Sequence, residues 1–399
     1  MRGLGQTTDK LARYRRQWET LLAAAKASGA AGEAMPPQAT RLVEQTSFGS
    51  NPGNLRMLKY APRHLPNEAP LVVVMHGCTQ TAAAYDSGTG WSTLADQLGF
   101  ALLMPEQRRA NSPNTCFNWF DAEDAARDRG EALSIRQMIE RMVVDHGIDR
   151  RRIYITGLSA GGAMTSVMLA AYPEVFAGGA IVAGLPYGCA ANVQEAFDAM
   201  FQVRTRAARE WGDLVRAASP HAGPWPKVSV WHGGADATVR PANADQIVKQ
   251  WADVHGLAGM SAVETTVDGY PHRIWRNASG EAVLEAYTIT GMAHGTPIAA
   301  GEGDGRCGRV APFIIDAGIS STHRIAQFWD LDAVRPVRAA SAPANGVVIE
   351  QDGRALDSEP DRAAAFGLQR EGNGAGRRGG KLDPGSVIAK ALQAAGLMK

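Results

Sequence analysis

The sequence has little net charge, no long apolar run and few cysteines, and each of these features, if present, would indicate a particular class of protein. Its formal net charge at pH 7 is only +1, from 41 Lys and Arg against 40 Asp and Glu, which argues against a nucleic-acid partner. No apolar run approaches the ~18 residues of a transmembrane helix. Cysteine is scarce, with four in 399 residues. Because no Cys-x-x-Cys pair or zinc-like Cys/His spacing occurs, we expect no metal and no other cofactor.

The central part of the sequence alternates apolar runs with amphipathic stretches. Helical patterns such as "EALSIRQMIERMVVDHG" separate six runs that are typical of strands buried on both faces: "APLVVVMHG", "GFALLMPE", "RRIYITG", "AGGAIVAG", "KVSVWHGGAD" and "AVLEAYTITGMAH". This alternation predicts an α/β fold with a mostly parallel, doubly wound sheet and helices on both faces. In such a sheet, ligands bind beyond the C-terminal ends of the strands.

Composition divides the chain into four segments. Residues 1–44 predict an amphipathic helical arm and a linker; the alternative is a helix that associates with a hydrophobic particle. Residues 45–334 hold the predicted α/β domain. Residues 335–384 are rich in Gly, Pro and Arg, which predicts a flexible segment, and residues 385–399 predict a short helix.

The N-terminal segment lacks the apolar core of a Sec signal peptide, so the sequence leaves the compartment open, with a cytoplasmic location as one alternative.

A Gly-x-Ser-x-Gly pattern follows the third apolar run and comes directly before a helical stretch. A strained turn between a strand and a helix would expose the hydroxyl of Ser159 as a nucleophile, beside the positive end of the helix dipole. The alternative is a packing turn with a passive serine, in a chain that has 44 glycines. The strand before the pattern and the small residues after it favour the nucleophile.

A serine nucleophile needs a base to accept its proton and an acid to orient that base. Asp236 and His294 each come directly after a predicted strand, and they follow Ser159 in the order Ser, Asp, His. His323, at the start of a predicted helix, is the reserve candidate for the base. These positions predict a catalytic triad at the C-terminal edge of the sheet.

The oxyanion of an acyl-transfer reaction needs two backbone donors. One is expected from Ala160, the residue after the nucleophile, and the other from the loop that follows the first predicted strand. That loop is "MHGCTQT", so the second donor is the N–H of Cys78 or of Thr79 beside it.

Six motifs together resemble the polyhydroxybutyrate depolymerase family of esterases: "HGCTQT", "TCFNWF", "YITGLSAGGAM", "GLPYGCA", "WHGGAD" and "GMAHGTP". The resemblance covers residues 45 to 332. It implies an α/β-hydrolase fold, hydrolysis of short-chain polyhydroxyalkanoate esters and a relation to feruloyl and acetylxylan esterases. It assigns the nucleophile, acid and base to Ser159, Asp236 and His294, and oxyanion donation to Cys78. An extracellular location is also implied.

The four cysteines allow two disulfides. Cys78 and Cys116 lie in loops after neighbouring predicted strands, and such loops converge on one side of a parallel sheet. These two cysteines can therefore reach each other, which would leave Cys189 to pair with Cys307. The alternative is four reduced, buried thiols. The resemblance to secreted esterases favours the two disulfides.

Three functions fit these observations. The leading one is a serine esterase that hydrolyses 3-hydroxybutyrate esters or oligomers through an acyl-enzyme on Ser159. The second is a feruloyl or acetylxylan carbohydrate esterase, for which Trp119 and Tyr187 offer an aromatic slot, although such aromatic residues are more often part of the core. The third is a catalytically inert, hydrolase-like protein that binds granules or polymer; the complete set of predicted catalytic groups argues against it.

Overall fold

A computed structural model describes residues 40–301, 303 and 305–332 of the chain. The predicted arm in residues 1–39, with its proposed particle-binding role, lies outside the described residues. So do the segment predicted to be flexible, residues 335–384, and the helix predicted for residues 385–399.

Strands and helices alternate along the described chain. The strands are β1 (Val43–Gln45), β2 (Arg56–Tyr60), β3 (Leu71–Met75), β4 (Ala101–Glu106), β5 (Ile153–Leu158), β6 (Gly178–Val182), β7 (Lys227–Gly233), β8 (Val263–Val267), β9 (Tyr270–Arg276), β10 (Ala282–Ile289), β11 (Thr296–Ile298) and β12 (Ile314–Asp316). The helices are α1 (Ala82–Thr89), α2 (Trp91–Leu98), α3 (Ala122–Ala125), α4 (Gly130–His146), α5 (Ala160–Ala171), α6 (Val193–Gln202), α7 (Ala208–Ala217), α8 (Ala242–Val254) and α9 (Ser321–Phe328). Among the described residues, no helix is long and apolar enough to cross a membrane.

Ten strands form one sheet, in the order β1-β2-β4-β3-β5-β6-β7-β10-β9-β8. The neighbours from β4 to β10 pair in parallel, and these six strands are the six apolar runs of the sequence. Antiparallel neighbours extend the sheet at both edges. Strand β1 begins at Val43, so the predicted domain boundary at residue 45 falls inside the sheet. Strands β11 and β12 form a separate parallel pair.

The central strands are apolar throughout because helices cover both faces of the sheet. Successive side chains of a strand point to opposite faces: in β3, Leu71, Val73 and Met75 enter one hydrophobic cluster, whereas Val72 and Val74 enter the other. The first cluster packs under α3 to α8 and the second under α1, α2 and α9. Complete burial of such a side chain stabilises the fold by roughly 1.5–3 kcal/mol. The predicted α/β architecture is confirmed.

The start of α5 lies in backbone contact with the end of β3. A Cβ atom added at Gly161 would stand 2.6 Å from the carbonyl oxygens of both Met75 and His76. A Cβ atom at Gly157 would stand 2.5 Å from the carbonyl group of Gly161. Both glycines of the Gly-x-Ser-x-Gly pattern are therefore required by close packing, which brings Ser159 next to the loop that follows β3.

Candidate active site

Ser159 occupies the turn between β5 and α5, at the C-terminal edge of the sheet. Its backbone has φ 57° and ψ −116°, a combination that residues other than glycine rarely adopt. Its N–H donates a hydrogen bond of 2.9 Å to the carbonyl of Val182, the last residue of the neighbouring strand β6. The turn is strained and anchored to the sheet, as a nucleophile elbow requires.

Asp236 and His294 meet at the same edge of the sheet. Asp236 follows β7 and His294 follows β10, and these strands are parallel neighbours, so the two loops leave the sheet side by side. The Nδ1 atom of His294 lies 2.7 Å from Oδ2 of Asp236, and both side chains are buried. Because an ionised carboxylate only accepts hydrogen bonds, Nδ1 carries the proton and Nε2 is left to act as a base.

The Asp236 carboxylate is held in its ionised form. Its second oxygen, Oδ1, accepts hydrogen bonds from the N–H groups of Thr238 (2.8 Å) and Val239 (2.9 Å). Burial acts to raise the pKa of Asp236, but the rings of His294 and His232 outweigh burial and lower this pKa below its usual range. Asp236 is therefore ionised at neutral pH and accepts the hydrogen bond from Nδ1 of His294.

His232 also contacts Asp236, the predicted acid, and the sequence analysis does not anticipate this contact. Its Nε2 atom lies 2.8 Å from the carbonyl oxygen of Val239 and 3.3 Å from Oδ2 of Asp236. A carbonyl oxygen only accepts, so Nε2 carries the proton. Val239 is thereby held at both its N–H and its C=O, and the turn that positions Asp236 is closed. The signal in the sequence is the four-residue spacing in "WHGGAD", which places the histidine at the strand end and the acid just beyond it.

The hydrogen bonds made by backbone N–H groups in the loop after β3 favour one of the two candidate oxyanion donors in that loop, Cys78 and Thr79. The N–H of Gly77 donates to Oε1 of Gln80 at 2.9 Å, and the N–H of Thr79 donates to the carbonyl of Asn114 at 2.6 Å. The N–H of Cys78, which lies between them, has no acceptor among the described residues. The loop geometry therefore favours Cys78 over Thr79 as the donor.

Ala160 supplies the second predicted donor. It is the first residue of α5, and the first N–H groups of a helix have no acceptor within that helix. The positive end of the helix dipole adds to the attraction for an anion at this position. Ser159 therefore lies beside an N–H group that is available to a developing negative charge.

The predicted Cys78–Cys116 disulfide is confirmed, with 4.3 Å between the Cα atoms. It connects the loop after β3 to the loop after β4. A partly buried hydrogen bond of 3.1 Å from Nε2 of Gln107 to the carbonyl of Cys116 also holds the second loop. The position of the Cys78 N–H is therefore set by a covalent bond as well as by hydrogen bonds.

The predicted Cys189–Cys307 disulfide is wrong, because both thiols are free and buried. Cys189 belongs to the first hydrophobic cluster. The sulfur of Cys307 lies 3.4 Å from the carbonyl oxygen of Thr89 in α1, a helix that covers the opposite face of the sheet. The sheet thus separates the two thiols. Burial raises the pKa of both, that of Cys189 to about 12, so neither is a reactive thiolate at neutral pH.

Other predicted site residues have structural contacts. Trp119 is buried in the first hydrophobic cluster with its ring edge-to-face on Phe120. The backbone N–H and C=O of Tyr187 hydrogen-bond the side chain of Gln250 at 2.9 and 3.0 Å. A substrate-binding role for Trp119 and Tyr187 stays a prediction. His323, the reserve base, lies in α9, and the contact between Asp236 and His294 favours His294.

Comparison with known proteins decides the family. The sequence model of a family described as "Esterase PHB depolymerase" matches residues 57–269, more than half of the chain. The chain belongs to this esterase family. The esterase is 47% identical over 291 residues to poly(3-hydroxyalkanoate) depolymerase C of Paucimonas lemoignei, and the alignment covers 73% of this chain and 70% of the relative.

The esterase is also similar to enzymes named as feruloyl and acetyl xylan esterases. It is 33% identical over 271 residues to feruloyl esterase B of Talaromyces stipitatus, covering 65% of this chain and 73% of the relative. Among solved structures, the acetyl xylan esterase of Aspergillus awamori matches with a TM-score of 0.61 at 25% identity, covering 73% of this chain and 99% of that chain. The α/β-hydrolase fold and the activity class, carboxylic ester hydrolase, are therefore confirmed.

Removing the contact of His232 with the acid turn tests its role. We expect His232→Leu to lower kcat on a chromogenic butyrate ester about tenfold and to leave KM nearly unchanged, because loss of one buried hydrogen bond costs about 1–3 kcal/mol. His232→Gln, which keeps an N–H donor at the end of its side chain, should recover part of kcat. A leucine variant with the wild-type kcat would show that His232 has no part in positioning Asp236.

Opening the disulfide tests the oxyanion loop. Reductant should increase the intact mass by two hydrogens, the change for one bond. We expect Cys116→Ser to lower kcat at least tenfold, because removal of one oxyanion donor costs about 10²–10³ in rate and a displaced donor costs part of this. Cys307→Ser is the matched control: its sulfur lies among hydroxyl and carbonyl groups, and it should keep the wild-type rate. Equal rates for Cys116→Ser and the wild type would contradict the role of the loop.

Proposed function

We propose that this esterase hydrolyses esters or oligomers of 3-hydroxybutyrate and related short-chain hydroxyalkanoates through an acyl-enzyme on Ser159. The observation that carries the proposal is the 2.7 Å contact between His294 and Asp236 at the sheet edge where Ser159 occupies a strained turn. This arrangement supports Ser159 as nucleophile, His294 as base and Asp236 as the acid that orients the base.

The first half-reaction forms the acyl-enzyme. The oxygen of Ser159 bonds to the ester carbonyl carbon while Nε2 of His294 accepts the hydroxyl proton. The carbonyl oxygen becomes an oxyanion, which accepts hydrogen bonds from the N–H groups of Cys78 and Ala160. When the carbonyl re-forms, the bond from carbon to the alcohol oxygen breaks, and the imidazolium of His294 gives its proton to the leaving alkoxide.

Water completes the cycle. Nε2 of His294 accepts a proton from water as the water oxygen attacks the acyl carbon, and the same two N–H groups bind the second oxyanion. The bond to the oxygen of Ser159 then breaks, the serine recovers a proton from His294, and the hydroxy acid leaves. Throughout, Asp236 stays ionised and stabilises the charge on the imidazolium.

The choice of substrate class rests on the relatives. The 47% identical relative is named for poly(3-hydroxyalkanoate), whereas the feruloyl esterase relative is 33% identical. The second candidate function, a carbohydrate esterase, is favoured by the acetyl xylan esterase structure, 99% of which is covered by the match. An inert binding protein is disfavoured, because it would not need an ionised Asp236 held by four N–H groups.

Substitution of the proposed catalytic residues tests the chemistry. We expect Ser159→Ala and His294→Ala each to lower kcat by about 10⁴–10⁶ with little change in the free energy of unfolding, since neither side chain is a large apolar part of the core. His323→Ala is the control for the base and should keep most of the activity. A purified Ser159→Ala variant that retains most of the wild-type kcat would refute the serine mechanism.

A panel of esters tests the substrate class. The values of kcat/KM for a 3-hydroxybutyrate trimer, methyl ferulate and acetylated xylan should be measured with the wild-type chain. We expect the trimer to give the highest value, with Ser159→Ala as the blank for each substrate. A higher value for methyl ferulate or acetylated xylan would replace the proposal by the carbohydrate-esterase alternative.

A further inference from the structure

Phe313 lies directly beside the proposed base. Its ring centroid is 6.0 Å from that of His294, and the planes meet at 75°, an edge-to-face contact. The ring is only partly buried and rests against the second hydrophobic cluster. One part of this aromatic surface is therefore available to a molecule that reaches His294.

The backbone at Phe313 is strained. Its φ of 63° lies in the left-handed region, where a bulky residue is a genuine outlier. Such strain persists only where the surroundings hold the residue, and it is concentrated at functional sites. Here the carbonyl of Phe313 accepts a hydrogen bond of 2.8 Å from the N–H of Thr296, which lies two residues after His294. Strand β12 begins at Ile314, the residue after Phe313, and pairs with β11, which begins at Thr296.

The same segment is tied to the oxyanion side of the site. The carbonyl of Pro312 accepts a hydrogen bond of 3.0 Å from Nε2 of Gln80. The other end of that amide, Oε1 of Gln80, accepts from the N–H of Gly77, next to Cys78. Hydrogen bonds therefore connect the segment of Phe313 both to the strand that follows His294 and to the loop of the predicted oxyanion donor. These two connections fix the position of Phe313 relative to a bound ester.

The proposed reaction determines which part of the ester lies near the Phe313 ring. His294 must give its proton to the leaving alkoxide, so the alcohol oxygen lies beside its imidazole when the ester bond breaks. The alcohol part of the ester, which is bonded to that oxygen, is therefore expected to lie nearer than the acyl part to a ring packed against that imidazole. In a 3-hydroxybutyrate oligomer, the carbon attached to this oxygen carries a methyl group, whereas in a sugar ester the corresponding region is polar.

We propose that Phe313 is a specificity-determining residue, an apolar wall that favours esters of branched alkyl alcohols such as hydroxyalkanoate units. The inference rests on the proposed function of the site and refines it. A wall of this kind contributes through the apolar surface that it removes from water, which is worth about 10–200-fold in selectivity for one methylene group in a fitted pocket. Its loss should change the preference between alcohols, and the preference between acyl groups should stay the same.

Two pairs of substrates separate these effects. The first pair, isopropyl butyrate and methyl butyrate, differs only in the alcohol; the second, ethyl butyrate and ethyl acetate, differs only in the acyl group. We expect Phe313→Ala to lower the kcat/KM ratio of isopropyl to methyl ester about tenfold and to leave the butyrate-to-acetate ratio unchanged. Phe313→Leu, which keeps apolar surface, should retain most of the alcohol preference.

Phe328→Ala is the matched control. Phe328 is also partly buried against the second hydrophobic cluster, but it lies near Lys227 at the start of β7, the opposite end of that strand from Asp236. This variant should lose stability comparable to that lost by Phe313→Ala, as measured by the melting temperature, and should keep both ratios.

The outcomes of the experiment are distinct. Equal loss of rate on all four esters, or a change in the acyl ratio alone, would overturn the assignment of Phe313 while the esterase mechanism survives. A wild-type chain that hydrolyses none of the four esters, nor the 3-hydroxybutyrate trimer, would overturn the proposed function and this inference with it.

Discussion

The hydrogen bond between His294 and Asp236 depends on the parallel pairing of two strands. Strands β7 and β10 are adjacent in the sheet although 48 residues lie between the end of one and the start of the other. Their C-terminal loops consequently emerge side by side, and a distance of 2.7 Å between Nδ1 and Oδ2 becomes possible. Ser159 follows β5, two strands away in the same parallel set, so the whole site depends on the C-terminal edge of the sheet being in register.

The loop of the predicted oxyanion donor is held in place by a different kind of constraint. The loop that carries Cys78 is held by a disulfide and by hydrogen bonds with Gln107, Asn114 and Pro312. Beneath it, the N–H of Gln107 donates to Nε2 of His76 at 3.1 Å, and the Gln107 side chain donates to the buried carboxylate of Glu131. Preorganised donors of this type need no rearrangement when charge develops.

Much of this arrangement was predictable because its signals are local. The six parallel strands are continuously apolar, since both faces are buried, and each catalytic candidate follows one of those strands directly. The edge strands were missed because their pattern is weaker: β8, "VETTV", is exposed at four of its five positions. Short strands such as β1 also carry too few residues for a period to be recognised.

The remaining features depend on which face of the sheet a residue occupies, which the sequence pattern does not reveal. Cys189 and Cys307 were paired by elimination, and the sheet lies between them. The contact of His232 with Asp236 requires the turn after β7 to fold back on its own strand. Phe313 carries no motif at all, because its importance comes from a strained backbone and a neighbour 19 residues earlier in the chain.

The most direct test of the central claim, that the fold activates Ser159, is covalent labelling by an alkyl fluorophosphonate followed by peptide mass mapping. The account predicts one adduct, on the peptide that contains Ser159, and no adduct when the protein is unfolded before the probe is added. An adduct on a different residue, or no adduct on the native protein, would contradict it.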